Sequence, residues 1–286
     1  CSIMELCRSA FNIEPDAEIS LEANPGTVTF EKLCAYRSAG INRLSMGLQA
    51  WQDSLLKQMG RIHNAGEFVE NFKAAIKAGF DNINVDLIFG LPNQDMDQWK
   101  KTLENVLALK PRHISAYSLK IEEGTPFCRM VESGEIVPAE DELDREMYHY
   151  AIERMAGDGL YLYEISNFAQ KGFECRHNML YWKRGGYLGI GAGAHSYFKN
   201  TRYNNIYEVE KYIEGIFEGR PVDENHCAID IREAMSEYMI LGLRLAEGIS
   251  KKEFEDEFGE KLDYVFGNEI EKLIKRGLLE TEGGRI

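Results

Sequence analysis

The chain has no apolar run near the roughly 20 residues that a membrane-spanning helix requires. It also has no CxxC pair and no evenly spaced cysteine framework, which argues against a disulfide-stapled secreted scaffold. The six cysteines, at positions 1, 7, 34, 128, 175 and 227, read as reduced thiols of a cytoplasmic protein. Basic residues are outnumbered: 33 Lys plus Arg against 47 Asp plus Glu give a formal charge of −14, which argues against a nucleic-acid partner. What remains is a globular chain of 286 residues with 44% hydrophobic content, enough for one large domain and a smaller one.

Four segments read as β-strands with one polar and one apolar edge: Ile19 to Asn24, Arg43 to Gln49, Asn82 to Ile88 and His113 to Ser118. Alternation puts Ser20, Glu22 and Asn24 on one face, likewise Arg43, Ser45 and Gln49, and likewise Asn82, Asn84 and Asp86. Each strand is followed by a helical pattern, so the series is a run of βα units with a parallel sheet. Buried parallel strands are normally apolar on both faces, and repeated polar residues on one face point to a partly open barrel with a ligand in its lumen. The plainer alternative is a barrel core with scattered, hydrogen-bonded polar groups.

Three regions are expected: a partial barrel over 1–165, an irregular connecting region over 166–228 and a helical domain over 229–286. In the first, Asn64 caps a helix with Phe68, Phe72 and Ile76 on one stripe, and a later helix buries Trp99, Leu103 and Val106. The last region reads as three helices and a small hairpin, a winged-helix pattern. Its nine basic and fourteen acidic residues disfavour DNA, so it is taken as an interaction or lid module. The chain opens on Cys1 inside a helical pattern and stops at Ile286 in a half-written hairpin, so it reads as a fragment with any targeting segment out of view.

Carboxylates at strand ends bind ribose hydroxyls or an ammonium, and a lone Arg grips a carboxylate in bidentate fashion. Glu22, Gln49, Asp86 and Arg61 therefore suit a ligand carrying amine, carboxylate and ribose better than they suit a phosphate. Gly189 to His195 lacks the GxGxxG spacing of a dinucleotide site and reads as a place of close backbone packing. His63, two residues after Arg61, is expected to orient that Arg.

Several motifs in order, Ser20-Leu-Glu-Ala-Asn-Pro-Gly26, Arg43-Leu-Ser-Met-Gly-Leu-Gln49, Met59-Gly-Arg-Ile-His63, Asn84-Val-Asp-Leu-Ile-Phe-Gly-Leu-Pro92 and Tyr163-Glu-Ile-Ser-Asn-Phe-Ala169, resemble the radical S-adenosylmethionine proteins related to oxygen-independent coproporphyrinogen III oxidase. Cys175-Arg-His-Asn-Met-Leu-Tyr-Trp182 is similar to the HNxxYW signature of the heme-chaperone branch of that family. The resemblance covers essentially the whole chain. It implies an α/β fold, a partial six-stranded (β/α) barrel represented here by strands 3 to 6, with a C-terminal winged-helix-like domain. It also implies that Glu22, Gln49, Arg61 and Asp86 contact S-adenosylmethionine, with Lys120 adding a backbone contact. His177 would ligate heme iron, with Asn178, Tyr181 and Trp182 beside the macrocycle; spacing alone favours instead a capping His beside a core Tyr-Trp pair.

The family's CxxxCxxC motif, whose thiolates hold a [4Fe-4S] cluster, does not occur in the chain. Cys1 and Cys7 have the wrong spacing and are not taken as ligands. The cluster is therefore expected upstream in the full-length protein, no metal site or catalytic residue is assigned in this chain, and exposed edges of an incomplete barrel are expected to favour aggregation. Two functions follow from the resemblance. One is a heme chaperone that delivers heme to acceptor proteins, meeting a membrane only through such an acceptor; the other is an oxidoreductase that decarboxylates coproporphyrinogen III. A barrel enzyme with no cluster stays open if the chain is complete.

Overall fold

The computed structural model describes residues 2–286 and divides into two compact units, one running to Glu174 and the other from Cys175 to Ile286. Cys1 lies outside the described residues. The first unit contains α1 (Ser2–Ala10), β1 (Ser20–Ala23), α2 (Phe30–Ser38), β2 (Arg43–Gln49), α3 (Asp53–Gln58), α4 (Ala65–Lys77), β3 (Asn82–Phe89), α5 (Met96–Ala108), β4 (His113–Ser118), α6 (Pro126–Glu132), α7 (Asp141–Ala156), β5 (Tyr161–Glu164) and β6 (Asn167–Ala169). Its sheet runs in the order β1-β2-β3-β4-β6-β5, parallel through β4 and antiparallel after it. The expected partial barrel with βα repeats is what forms.

Local chemistry sets the helices. Asn64 and Glu67 make a reciprocal capping box at the start of α4, and Asp95 and Gln98 make another at α5, each satisfying orphan amides of a first turn. The apolar edges of β2 and β3 supply Leu44, Met46, Leu48, Val85 and Leu87, each at most 2% exposed, to a core closed by Leu33, Phe68, Phe72, Trp99, Leu103 and Met147. Trp99 also donates its indole N–H to the Met147 carbonyl at 2.8 Å. Ile76 departs from the expected stripe, being 53% exposed while Ala75 is buried. At about 100° per residue, position 76 lies roughly 80° round the helix from Phe68 and position 75 only about 20° away.

The second unit contains α8 (Arg176–Trp182), β7 (His195–Phe198), β8 (Thr201–Asn205), α9 (Val209–Glu218), β9 (Asp223–Ala228), α10 (Ile231–Gly242), α11 (Lys251–Phe258) and α12 (Leu262–Lys275). The stretch 166–228, expected to be irregular, thus carries β6, two helices and a three-stranded antiparallel sheet in the order β7-β8-β9. Strands such as Thr201–Asn205 and Asp223–Ala228 escape pattern reading because neither has an apolar face; every residue of β9 is exposed. The three C-terminal helices pack around Met235, Met239, Phe254, Leu262 and Ile270, and Glu282 and Arg285 pair in a small hairpin that also bridges to Ser250. Ser250 caps α11 as its position suggests.

Arg184 ties this unit together. Its side chain is 3% exposed, lies within 2.7 Å of Glu257 and 3.4 Å of Glu237, and donates to the Tyr197 hydroxyl at 2.6 Å. Gly189 packs where a Cβ would run into the His195 carbonyl, so the glycine run here does serve close backbone approach.

Candidate functional site

The C-terminal ends of β1 to β4 open onto a cavity of about 410 Å³ lined by Glu22, Gln49, Arg61, Asp86, Ile88, Tyr117, Ser118, Leu119 and Lys120. All five residues expected at a cofactor site, Glu22, Gln49, Arg61, Asp86 and Lys120, line this one cavity. Clefts outside the carboxyl ends of parallel strands are where α/β sheets bind small molecules, and the volume falls within the usual range for such sites.

Parallel register explains the convergence. Glu22 lies beside Ser45, Ser45 beside Asn84 and Asn84 beside His113; one step up, Gly47 lies beside Asp86 and Asp86 beside Ser115. Gln49 reaches the cavity through an irregularity: the β2–β3 register slips between Gly47 and Gln49, and Gln49 takes φ 73°. That left-handed conformation is costly for a residue with a Cβ and is held by the surrounding sheet. Gly47 makes room for it, since a Cβ there would stand 2.7 Å from the Gln49 amide nitrogen.

Arg61 follows α3 in a turn that Gly60 makes at φ 69°, and its guanidinium reaches the Asn24 side chain at 3.5 Å. His63 does not orient it by a hydrogen bond. Buried at 5% exposure, His63 pairs instead with the Leu48 carbonyl at 3.4 Å, just before the Gln49 kink, and burial holds its pKa below the usual histidine value. The Lys120 side chain turns outward to Glu122 at 2.8 Å, so what it offers the cavity is its stem and backbone. Burial pushes the hydroxyl pKa of Tyr117, another lining residue, up.

Beneath Asp86 lies a polar network that alternation hinted at without revealing. Ser45 donates to Asp86 Oδ2 at 2.9 Å, and Asn84 Nδ2 donates to Asp86 Oδ1 and to Ser45 Oγ, both at 2.7 Å. Asn84 Oδ1 in turn accepts from Ser115 at 3.2 Å and meets His113 Nδ1 at 2.6 Å. The Tyr163 hydroxyl meets His113 Nε2 at 2.8 Å. The signal for His113 and Ser115 was their place on the polar alternation of β4; their partners emerge only from register across three strands.

The four residues of the HNxxYW segment do not converge. His177 and Tyr181, four apart on α8, meet edge to face with ring centroids 4.7 Å apart, and both are exposed. Tyr187 extends this aromatic row, 4.5 Å from Tyr181. Asn178 is partly buried. Trp182 lies about 140° round the helix from His177. Its ring sits under Arg244 at 5.2 Å, and it lines a cavity of about 170 Å³ with Tyr238, Leu245 and Ile249. Burial and neighbouring Glu253 and Glu257 push the Tyr238 hydroxyl to about 12. Trp182 therefore packs inside its unit instead of joining the exposed row.

No ligand set for a [4Fe-4S] cluster exists among the described residues: no three His, Cys, Asp or Glu side chains are placed to hold a metal ion, and Cys7, Cys34, Cys128, Cys175 and Cys227 form no disulfide. No described helix is long and apolar enough to cross a membrane.

The profile of the Radical SAM superfamily matches residues 2–106, and that of the HemN C-terminal domain matches residues 229–286. Over 99% of its length the chain superposes, with a TM-score of 0.82 and 21% identity, on 68% of the Escherichia coli coproporphyrinogen III oxidase HemN, described as a radical SAM enzyme; this likeness establishes the fold. Fold and profiles define a radical SAM protein. Heme chaperone HemW of Bacillus subtilis (strain 168) is 39% identical over 93% of this chain and 70% of its own length, and that of Lactococcus lactis 35% identical over 96% and 72%. A bovine relative, radical S-adenosyl methionine domain-containing protein 1, mitochondrial, is 32% identical over 97% of this chain and 65% of its own length. The chain belongs to the HemW heme chaperone family of radical SAM proteins.

Proposed function

We propose that this protein is a heme chaperone that binds S-adenosylmethionine in the cavity at the strand ends, carries heme on the exposed face of α8 and hands it to acceptor proteins in the cytoplasm. The observation that carries the reading is the meeting of Glu22, Gln49, Arg61, Asp86 and Lys120 around one opening. Two carboxylates, one guanidinium and an amide match the ammonium, carboxylate and ribose hydroxyls that S-adenosylmethionine presents when bound. Arg61 suits the carboxylate; Glu22 and Asp86 suit the ammonium and hydroxyl donors. The [4Fe-4S] cluster of the family has no ligands among the described residues.

His177 offers an exposed imidazole for heme iron, and the edge-on Tyr181 and Tyr187 rings beside it give a macrocycle an apolar wall. Heme titration of the full-length protein tests this assignment. A Soret shift that His177→Ala abolishes is expected, together with no consumption of coproporphyrinogen under anaerobic reductant. A Soret shift unchanged in His177→Ala contradicts the heme ligand, and porphyrinogen turnover contradicts the chaperone.

A further inference from the structure

Asp86 is the one cavity carboxylate whose two oxygens both accept hydrogen bonds from buried side chains, Ser45 on Oδ2 and Asn84 on Oδ1. Each carboxylate oxygen has two acceptor sites, so one on each remains for a ligand. The network has a fixed direction. Asn84 presents its NH₂ to Asp86 and Ser45, which leaves Oδ1 to accept from Ser115 and His113. His113 must then carry its proton on Nδ1 and accept the Tyr163 hydroxyl proton on Nε2. Burial, with the Arg43 guanidinium nearby, keeps this imidazole neutral, as the arrangement requires.

We propose that His113 is a positioning residue for the cofactor site: its Nδ1 proton locks the Asn84 amide, which with Ser45 fixes the Asp86 carboxylate in the orientation that ligand binding uses. The proposal rests on reading Asp86 as an S-adenosylmethionine ligand. Flipping the amide would turn its oxygen toward the carboxylate, and the His113 and Ser115 donors oppose that flip. A site residue held by packed, hydrogen-bonded supports binds without having to be ordered first.

The test measures S-adenosylmethionine affinity in full-length, cluster-bearing protein. Asp86→Asn should weaken binding most. His113→Leu should weaken it about tenfold, the scale of a hydrogen bond left unmade to a buried group. His113→Asn, whose amide N–H replaces the Nδ1 donor, should recover to within about threefold of the parent. Ser45→Ala, which removes the hydroxyl donor to Asp86, should weaken binding about fivefold and decides the matter if His113→Leu does not fold. Independently, ¹⁵N NMR of His113 should show a protonated Nδ1 and a bare Nε2. Parental affinity in His113→Leu and Ser45→Ala alongside weak binding by Asp86→Asn overturns the positioning role alone, as does an Nε2–H tautomer. Parental affinity in Asp86→Asn overturns the cofactor assignment and the positioning role with it.

Discussion

The strand-end cavity of the first unit and the aromatic face of α8 in the second hold their candidate ligands in opposite ways. Around the cavity the polar groups stand on strands and are backed by buried partners: Asn84 and His113 are 2% and 0% exposed. On α8 the imidazole of His177 and the ring of Tyr181 stand at the surface, on a helix of seven residues with no buried member. A small zwitterion with fixed hydrogen-bonding groups calls for the first kind of site, since misoriented donors lose affinity steeply. A cargo that must be received and released is better served by a face that stays open.

That contrast can be broken at several points. The largest effect belongs to Arg184→Ala, which removes a buried guanidinium from Glu257 and the Tyr197 hydroxyl and leaves Glu237 to Arg202 alone. Losing these charge-assisted hydrogen bonds costs about 1.5–3 kcal/mol, so urea unfolding followed by Trp182 fluorescence should shift to lower denaturant while signals from Trp51 and Trp99 hold. Heme binding should fall and S-adenosylmethionine affinity persist. Parallel loss of both would mean that the two sites are not independent.

A smaller effect comes from pH. His113 has its folded pKa depressed well below 6.5, chiefly by burial, so on acidification the unfolded chain takes up a proton that the folded chain refuses. Stability from this group is therefore full above about pH 6.5 and drops as pH falls below it, with a slope nearing about 1.4 kcal/mol per unit until the folded pKa is reached. Denaturant midpoints of the first unit measured from pH 7 to 5 should show this slope, and His113→Asn should flatten it. An identical slope in the variant would assign the effect to other groups.

Much of this was legible in the sequence because strand periodicity and capping are local. The bounds of β2 and β4, the caps Asn64 and Ser250, the core positions Trp99, Leu103 and Val106, and the polar faces carrying Glu22, Ser45, Asn84 and Asp86 all follow from neighbours in the chain. What escaped depends on contacts far apart in sequence. His113 gains its meaning from Asn84 and Tyr163, residues 29 and 50 positions away. Trp182 looks like a partner of His177 in a motif, yet helical geometry turns it to Arg244, 62 positions on by residue number. The polar strands β8 and β9 have no pattern to read because both their faces carry polar groups.

The central claim is that the strand-end cavity binds S-adenosylmethionine and that heme is held by other residues. Calorimetric titration of S-adenosylmethionine into full-length, cluster-bearing protein and its Glu22→Gln variant tests it most directly, with heme bound to each and the Soret band recorded. The predicted result is an affinity loss of about tenfold or more in the variant with an unchanged Soret band. Equal affinity in the two proteins, or a Soret band that moves with Glu22→Gln, would contradict it.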